Sequence, residues 1–439
     1  MIRRLWIPAL VLVASTAPAL AQPRLTLAEA IGKAQTRNLD ARSAEVAERQ
    51  AKARLTLAKA GYLPTVELSE TWQRGNQPVF VFSSLLAQRQ FAASNFAIDA
   101  LNHPEAVGNV RTAATLDQVV FDPAVRAGVR TATLGREAAI VTREVVGQNL
   151  AVAVTRAYGA VLAAEAATGA AGAAVDTATG DLELARNRRD AGAATDADVL
   201  QIDVHLAQAR EQQIRSRAEV AVARARLNQV LGEPLDTVFA LDDAPEPVAM
   251  DGTAVAALEA AAVAERPDLK LAGVQERLAA AGVAGARAAF LPRVSAQAGW
   301  EANGGTLGAR SSSWMVGAVA RVNLFRGFAD QARLAEAREA QSLRTIERER
   351  AETAARLEVR EGAARLEAAR AAETVGRAAV AQAREGHRIL RDRYEGGLAD
   401  VTALLRAAEA VQQAEARHAA ARVEVMVAAA TLKRAAGTR

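Results

Sequence analysis

Two carboxylates beside a tight turn, Asp196 and Asp198, are the nearest this sequence comes to a metal- or proton-handling motif. A helix start also gathers acids, because its dipole favours negative charge in the first turn, and that reading is the stronger one here. The four histidines, His103, His205, His387 and His418, are scattered and there is no cysteine, so no His/Cys metal cluster can be written. No Gly-rich phosphate loop and no nucleophile elbow is found. The expectation is therefore a protein that is not an enzyme, with no cofactor and no metal. A formal net charge of +4, two of whose positive charges are Arg3 and Arg4, is too small and too dispersed to argue for nucleic acid.

What positions those acids is helix. Of 439 residues about a quarter are Ala, the strongest helix former, and only 4% are aromatic. Residues 1–21 read as a secretory signal peptide: Arg3-Arg4, an apolar run from Leu5 to Leu20, and small residues at Ala19-Leu20-Ala21 with cleavage expected after Ala21. No Cys follows for lipid attachment, and beyond residue 21 no uncharged apolar stretch reaches the roughly 18 to 20 residues of a membrane helix. From Pro123 to Asp190 the pattern is helical without internal Pro, a rod of about 100 Å at 1.5 Å per residue. Asp122 caps it and Pro123 opens it. A second rod runs from about Phe328 to Arg393, and both end where Gly permits a turn, at Gly192 and at Gly396-Gly397.

The chain repeats itself. Tyr62-Leu63-Pro64 recurs as Phe290-Leu291-Pro292, Val120-Phe121-Asp122-Pro123 as Leu324-Phe325-Arg326-Gly327, and the Gly192 turn as the Gly397 turn, in the same order. Each half reads as helix, strand pair, long helix, turn, long helix. The expected organisation is residues 1–21 as signal peptide, 22–243 as a first structural repeat and 244–439 as a second. The first repeat holds an extra segment between Trp72 and Phe121, including a long connection, Gln73 to Val110, with Phe80, Phe82, Phe91 and Phe96. Packing against its own neighbours is the stronger reading of this connection; folding over a channel mouth is the alternative.

The strand pairs alternate. Val294, Ala296, Ala298 and Trp300 take one side against Ser295, Gln297, Gly299 and Glu301, and Trp314 to Val322 returns in the same manner. Val66, Leu68 and Trp72 do likewise in the first half, although Glu70 interrupts the apolar side. Such alternation over about ten residues fits a membrane β-strand and also any half-buried strand. Aromatic placement favours the membrane: Trp72, Trp300 and Trp314 read as distal strand ends, with Tyr62, Phe121, Phe290 and Phe325 at the proximal ends, two belts such as a bilayer's interfaces select. Four strands cannot close a barrel, and an open edge in lipid leaves backbone groups unpaired, so other copies of the chain must complete it.

In this order the residues resemble the TolC-type outer membrane efflux protein family, the outer membrane factors, from Leu25 to about Gly437. Arg266-Pro267-Asp268-Leu269 adds to the likeness. The resemblance implies a mainly α fold with a small membrane β-barrel. Long coiled-coil hairpins form a periplasmic helical barrel, and four strands per chain complete twelve in a homotrimer. It implies the outer membrane of a Gram-negative bacterium, contact with its lipid, and extension into the periplasm. It implies partnership with a periplasmic adaptor (membrane fusion) protein and an inner membrane pump. The function implied is a passive export duct of a tripartite efflux or type I secretion system; the alternative is a periplasmic coiled-coil adaptor or scaffold, which leaves the aromatic-bracketed strands unexplained. In the family an acid six positions after the tip Gly narrows the periplasmic mouth. Asp198 fits, but the second hairpin has Ala403 there and Arg406 at the next expected acid. The implied gate is Asp196, Asp198, Asp400 and Arg406, with Arg189, Gly192, Ala193, Tyr394, Gly397 and Leu398 as the adaptor-docking tips.

Overall fold

The computed structural model describes residues 24–242 and 254–438. The signal-peptide reading of residues 1–21 and the repeat boundary at 243/244 fall outside them. In chain order the elements are β1 (Arg24–Leu25), α1 (Leu27–Arg37), α2 (Leu39–Ala60), β2 (Thr65–Gly75), α3 (Pro78–Ala87), a 3-10 turn (Ala93–Phe96), α4 (Ile98–Asn102), β3 (Val107–Phe121), α5 (Pro123–Asp190), α6 (Asp196–Leu231), β4 (Ala240–Leu241), α7 (Val255–Glu265), α8 (Pro267–Ala288), β5 (Arg293–Thr306), β6 (Ala309–Arg321), α9 (Ala329–Glu395) and α10 (Val401–Ala435). The first rod has the bounds read from sequence. The second begins one residue later than expected, because Phe328 takes a left-handed φ of 66° after Gly327. Contacts divide the chain into two units: residues 1–38, 150–249 and 366–430, and residues 39–149, 250–365 and 431–439.

In the first unit, Thr26 and Glu29 form a capping box that starts α1. β1 pairs in parallel with β4, and Tyr158, fully buried on α5, donates its hydroxyl to Leu25 O at 2.9 Å and Asp242 O at 2.7 Å. Gly232 ends α6 at φ +74°, and a Cβ there would lie 2.4 Å from Arg37 O, so only glycine serves both the left-handed cap and the close approach. α5 is long and apolar enough over part of its length to cross a membrane. Its sequence, however, packs Val154, Tyr158 and Val161 into protein and pairs Glu165 with Arg224 at 2.8 Å, the chemistry of a helix bundle.

The second unit is organised around Arg266 and an antiparallel sheet. Arg266, 3% exposed, donates to both Asp268 oxygens at 2.9 and 2.6 Å, to Glu358 at 2.9 Å and to Ala435 O at 3.3 Å. The residue opening the Arg-Pro-Asp-Leu motif thereby ties α8, α9 and the end of α10. Burial works against the charge of Asp268, but the guanidinium bonds outweigh it and hold the carboxyl below its ordinary pKa. The sheet has the order β2-β3-β5-β6.

Candidate functional site

The sheet register separates two faces. Val66, Leu116, Ala298 and Val316 stand opposite one another across the four strands, and Leu68, Ala114, Trp300 and Trp314 form the next row on that face. Between them, on the other face, lie Glu67, Thr115, Gly299 and Met315, flanked by rows holding Asp117 with Gln297 and Ala113 with Glu301. Arg111 pairs with Glu301 at 2.8 Å on this polar face. Ala296 and Ala298 thus share a face with the tryptophans, and Ser295 and Gln297 face the other way. These rows hold six large apolar or aromatic residues, yet Val66, Leu68, Trp314 and Val316 are 67 to 77% exposed. Among the described residues the outer edges of β2 and β6 have no strand partner.

Of the three distal tryptophans, Trp72 lies near the end of β2 as the sequence placed it, but the other two do not. Trp300 and Trp314 oppose each other in mid-strand, since β5 continues to Thr306 and β6 begins at Ala309. Trp72 pairs with Val110, four residues beyond Leu68 on β2, so it stands about 13 Å further along the sheet. The apolar alternation stops at the Trp300 row, but the hydrogen-bond ladder continues through polar residues. Glu70 marks the change: on the apolar face it accepts from Arg310 at 3.1 Å and bonds Thr112. At the proximal end, Gln118 donates to Tyr62 O at 2.9 Å, Phe121 closes β3, Phe290 precedes β5, and Phe325 meets Phe328 edge to face at 5.4 Å.

The hairpin tips lie in the other unit. Both turn through the same bond pair. Gly192 N donates to Arg189 O and Ala193 N to Arg188 O, while Gly397 N donates to Tyr394 O and Leu398 N to Arg393 O, with both glycines at φ +75°. The acids beside them have local partners. Asp198 accepts from Thr195 N and Oγ1, both at 2.9 Å, closing a capping box; Asp400 caps α10 by accepting from Ala403 N at 2.7 Å. Arg189 binds Asp190 at 2.6 Å and lies 3.8 Å from Asp196. Leu398 is 81% exposed, and Arg406 is exposed along a groove of about 500 Å³ that also has Leu200, Val204 and Leu405 on its walls.

Tyr394 departs from its expected docking role. It is 3% exposed, packed with Leu182, Val199, Ile202 and Leu404, and the Arg188 guanidinium sits 4.6 Å over its ring. Burial pushes its hydroxyl above the ordinary tyrosine pKa. It joins the two tips from within, because each hairpin contributes apolar residues that only their packing brings together. Sequence reading also missed Asp181, a buried acid on α5 that lies 3.4 Å from Arg391 and 3.7 Å from His387. No local signal marks it within the Ala-rich rod.

Long paired helices and a four-stranded antiparallel sheet with one exposed apolar face define a class in which helical hairpins and an antiparallel sheet are built into one polypeptide. The chain belongs to the outer membrane efflux protein family, whose model matches residues 30–233 and 259–438. Among solved structures, it is similar to a membrane protein from Pseudomonas aeruginosa, at 21% identity and TM-score 0.80 over 94% of this chain and 90% of that one. It is also similar to the outer membrane protein VceC of Vibrio cholerae, at 18% identity and TM-score 0.76 over 94% and 96%. A third is the CmeC outer membrane channel of Campylobacter jejuni, at 17% and 0.78 over 94% and 85%. At these identities the likeness is one of fold. No match was found among curated proteins.

Proposed function

We propose that the protein is the outer membrane channel of an export system, a passive duct from periplasm to exterior in the outer membrane of a Gram-negative bacterium. The observation that carries this is the sheet, with one apolar face exposed and two edges open. In lipid an open edge costs several kcal/mol per unpaired backbone group, and four strands fall short of the eight of the smallest membrane barrels. Three copies joined edge to edge give twelve strands, with Val66, Leu116, Ala298 and Val316 towards lipid and Asp117, Gln297 and Glu301 towards the lumen. The helices then cross the periplasm to an adaptor protein and an inner membrane pump, in a tripartite efflux or type I secretion assembly. The two halves, 22–243 and 244–439, act as pseudo-equivalent repeats around the duct.

At the tips, Arg189, Gly192, Ala193, Gly397 and Leu398 present the adaptor-docking surface, with Tyr394 beneath them. Asp196, Asp198, Asp400 and Arg406 line the periplasmic mouth, where a threefold ring of Asp198 favours cations and Arg406 replaces the second acid. A scaffold without a membrane sheet would leave the exposed apolar face without a purpose. Mass measurement of the protein extracted in mild detergent tests the proposal: a trimer is expected, and a stable monomer, or release with the soluble periplasmic fraction, refutes it.

A further inference from the structure

The connection between β2 and β3 is seated on one face of the sheet only. Gln88, buried at the end of α3, donates from Nε2 to Gly108 O at 2.9 Å and to Asn109 Oδ1 at 3.0 Å, and Asn109 donates onward to Asn303 Oδ1 at 2.9 Å. Ser311 donates from Oγ to Gln88 O at 3.0 Å. Asn109, Asn303 and Ser311 belong to the polar face by register. Phe80 lies against Gly75 and Gln88 against Gly305, glycines of the same face. Arg89, at φ 55°, turns the chain out of α3 and donates to Ser312 O at 3.1 Å. An apolar helix is therefore fastened by buried polar bonds to the polar side of the sheet. Its own residues divide at helical spacing: Val81, Ser84 and Gln88 are buried, while Val79, Phe82 and Leu86 are 75%, 36% and 50% exposed. Phe91 holds the stripe from behind, with ring contacts to Phe82 at 4.7 Å and Phe96 at 5.1 Å.

We propose that α3 forms an apolar constriction inside the distal mouth of the pore, with Val79 and Leu86 of every copy turned towards the water-filled axis. This rests on the barrel reading above: if the apolar face meets lipid, the polar face lines the lumen, and a helix seated on that face stands inside it. A helix with its side chains is about 10 Å wide, so three of them narrow a small barrel severely. An apolar lining then dewets the narrow passage and excludes ions until the segment shifts. The connection does not lie over the mouth from outside; it occupies the mouth.

Both stripe residues are solvent-exposed, so replacing them leaves the fold intact. Full-length wild type, the double variant Val79→Ser/Leu86→Ser and the control Val316→Ser, on the opposite face, are compared in planar bilayers. The double variant is expected to raise mean conductance or the open fraction at least twofold, with Val316→Ser matching wild type. Equal currents from wild type and double variant overturn the constriction. The same preparations are weighed in detergent: a trimer with equal currents removes the constriction alone, whereas a monomer removes the barrel reading and the constriction with it.

Discussion

Replacing Tyr394 separates a buried tip core from a docking surface. The side chain is 3% exposed, and its hydroxyl has no hydrogen-bond partner. Truncation to Ala empties a site walled by Leu182, Val199, Ile202 and Leu404, for which large-to-small aromatic changes cost about 3 to 5 kcal/mol. It also removes the Arg188 stacking, worth about 0.5 to 2 kcal/mol. Tyr394→Phe keeps the ring and deletes an unpaired buried hydroxyl, so it is neutral or slightly stabilising. The tips open as a local unit, so the fitting assay is amide hydrogen exchange in the full-length protein, read at residues 182–206 and 394–404. A loss of about 3 kcal/mol of opening free energy raises exchange by roughly a hundredfold, since about 1.4 kcal/mol is a factor of ten. Tyr394→Phe should stay within a few-fold of wild type. If Tyr394→Ala exchanged at the wild-type rate, the ring would not be holding the tips together.

Three further outcomes are expected. Ala298→Arg, on the apolar face, should cost about 2 to 4 kcal/mol at mid-bilayer and abolish the proposed trimer in a detergent mass measurement, while Gln297→Arg should assemble and change conductance; equal tolerance of both counts against a barrel strand. Asp198→Ala removes one half of a capping box at a cost of about 1 kcal/mol and should leave the trimer intact, but raise conductance or lower cation preference. Unchanged current and selectivity would take Asp198 out of the gate. Asp268 has a folded pKa below its unfolded value of about 4, so its contribution is complete above that value and is lost as pH falls through the folded one. Thermal unfolding should therefore fall more steeply between about pH 5 and pH 3 in wild type than in Asp268→Asn, which has already lost the contribution.

Much of the architecture is written in local signals. Asp122-Pro123 starts α5 and Gly192 ends the turn after it because capping and left-handed backbone are decided by the residues on the spot. Period-2 alternation likewise assigns Ala298 and Gln297 to opposite faces without knowledge of any partner strand. What alternation does not carry is where a strand stops. β5 outruns Trp300 because Asn303 is paired with Ser311 and fastened through Asn109 to Gln88, residues of other strands and of the α3 segment. Tyr394 was misread for a related reason. Its neighbours Leu182, Val199 and Ile202 come from the other hairpin, so its burial is a property of two distant segments meeting. Read from sequence, Gln73 to Val110 is only a connection, and the helix at Pro78–Ala87 does not separate out of it; its seat depends on polar residues that look unremarkable in a strand.

The displaced tryptophans bear on where a membrane would sit. From Arg293, where β5 begins, to Trp300 is seven residues, about 23 Å along an extended strand, with Phe290 in the turn just before it. Tilted by the roughly 40° of membrane barrels, that strand length spans about 18 Å of height, which fits within the roughly 25 Å apolar band such barrels present. Running the span to Trp72 instead, level with Gly304, adds about 10 Å and forces the Glu70–Arg310 ion pair and Thr112 into hydrocarbon on the lipid-facing side. A charged pair there would lose water that exposed Glu70 otherwise keeps, at a cost its single attraction does not recover. On the proposed barrel reading, the outer-interface belt is then Trp300 with Trp314, opposed by Tyr62, Phe121, Phe290 and Phe325, and Trp72 falls with Glu70 and Arg310 among the headgroups. On that placement the proposed constriction would stand above the hydrocarbon, with α3 fastened to the row that holds Asn303, Ser311 and Arg111.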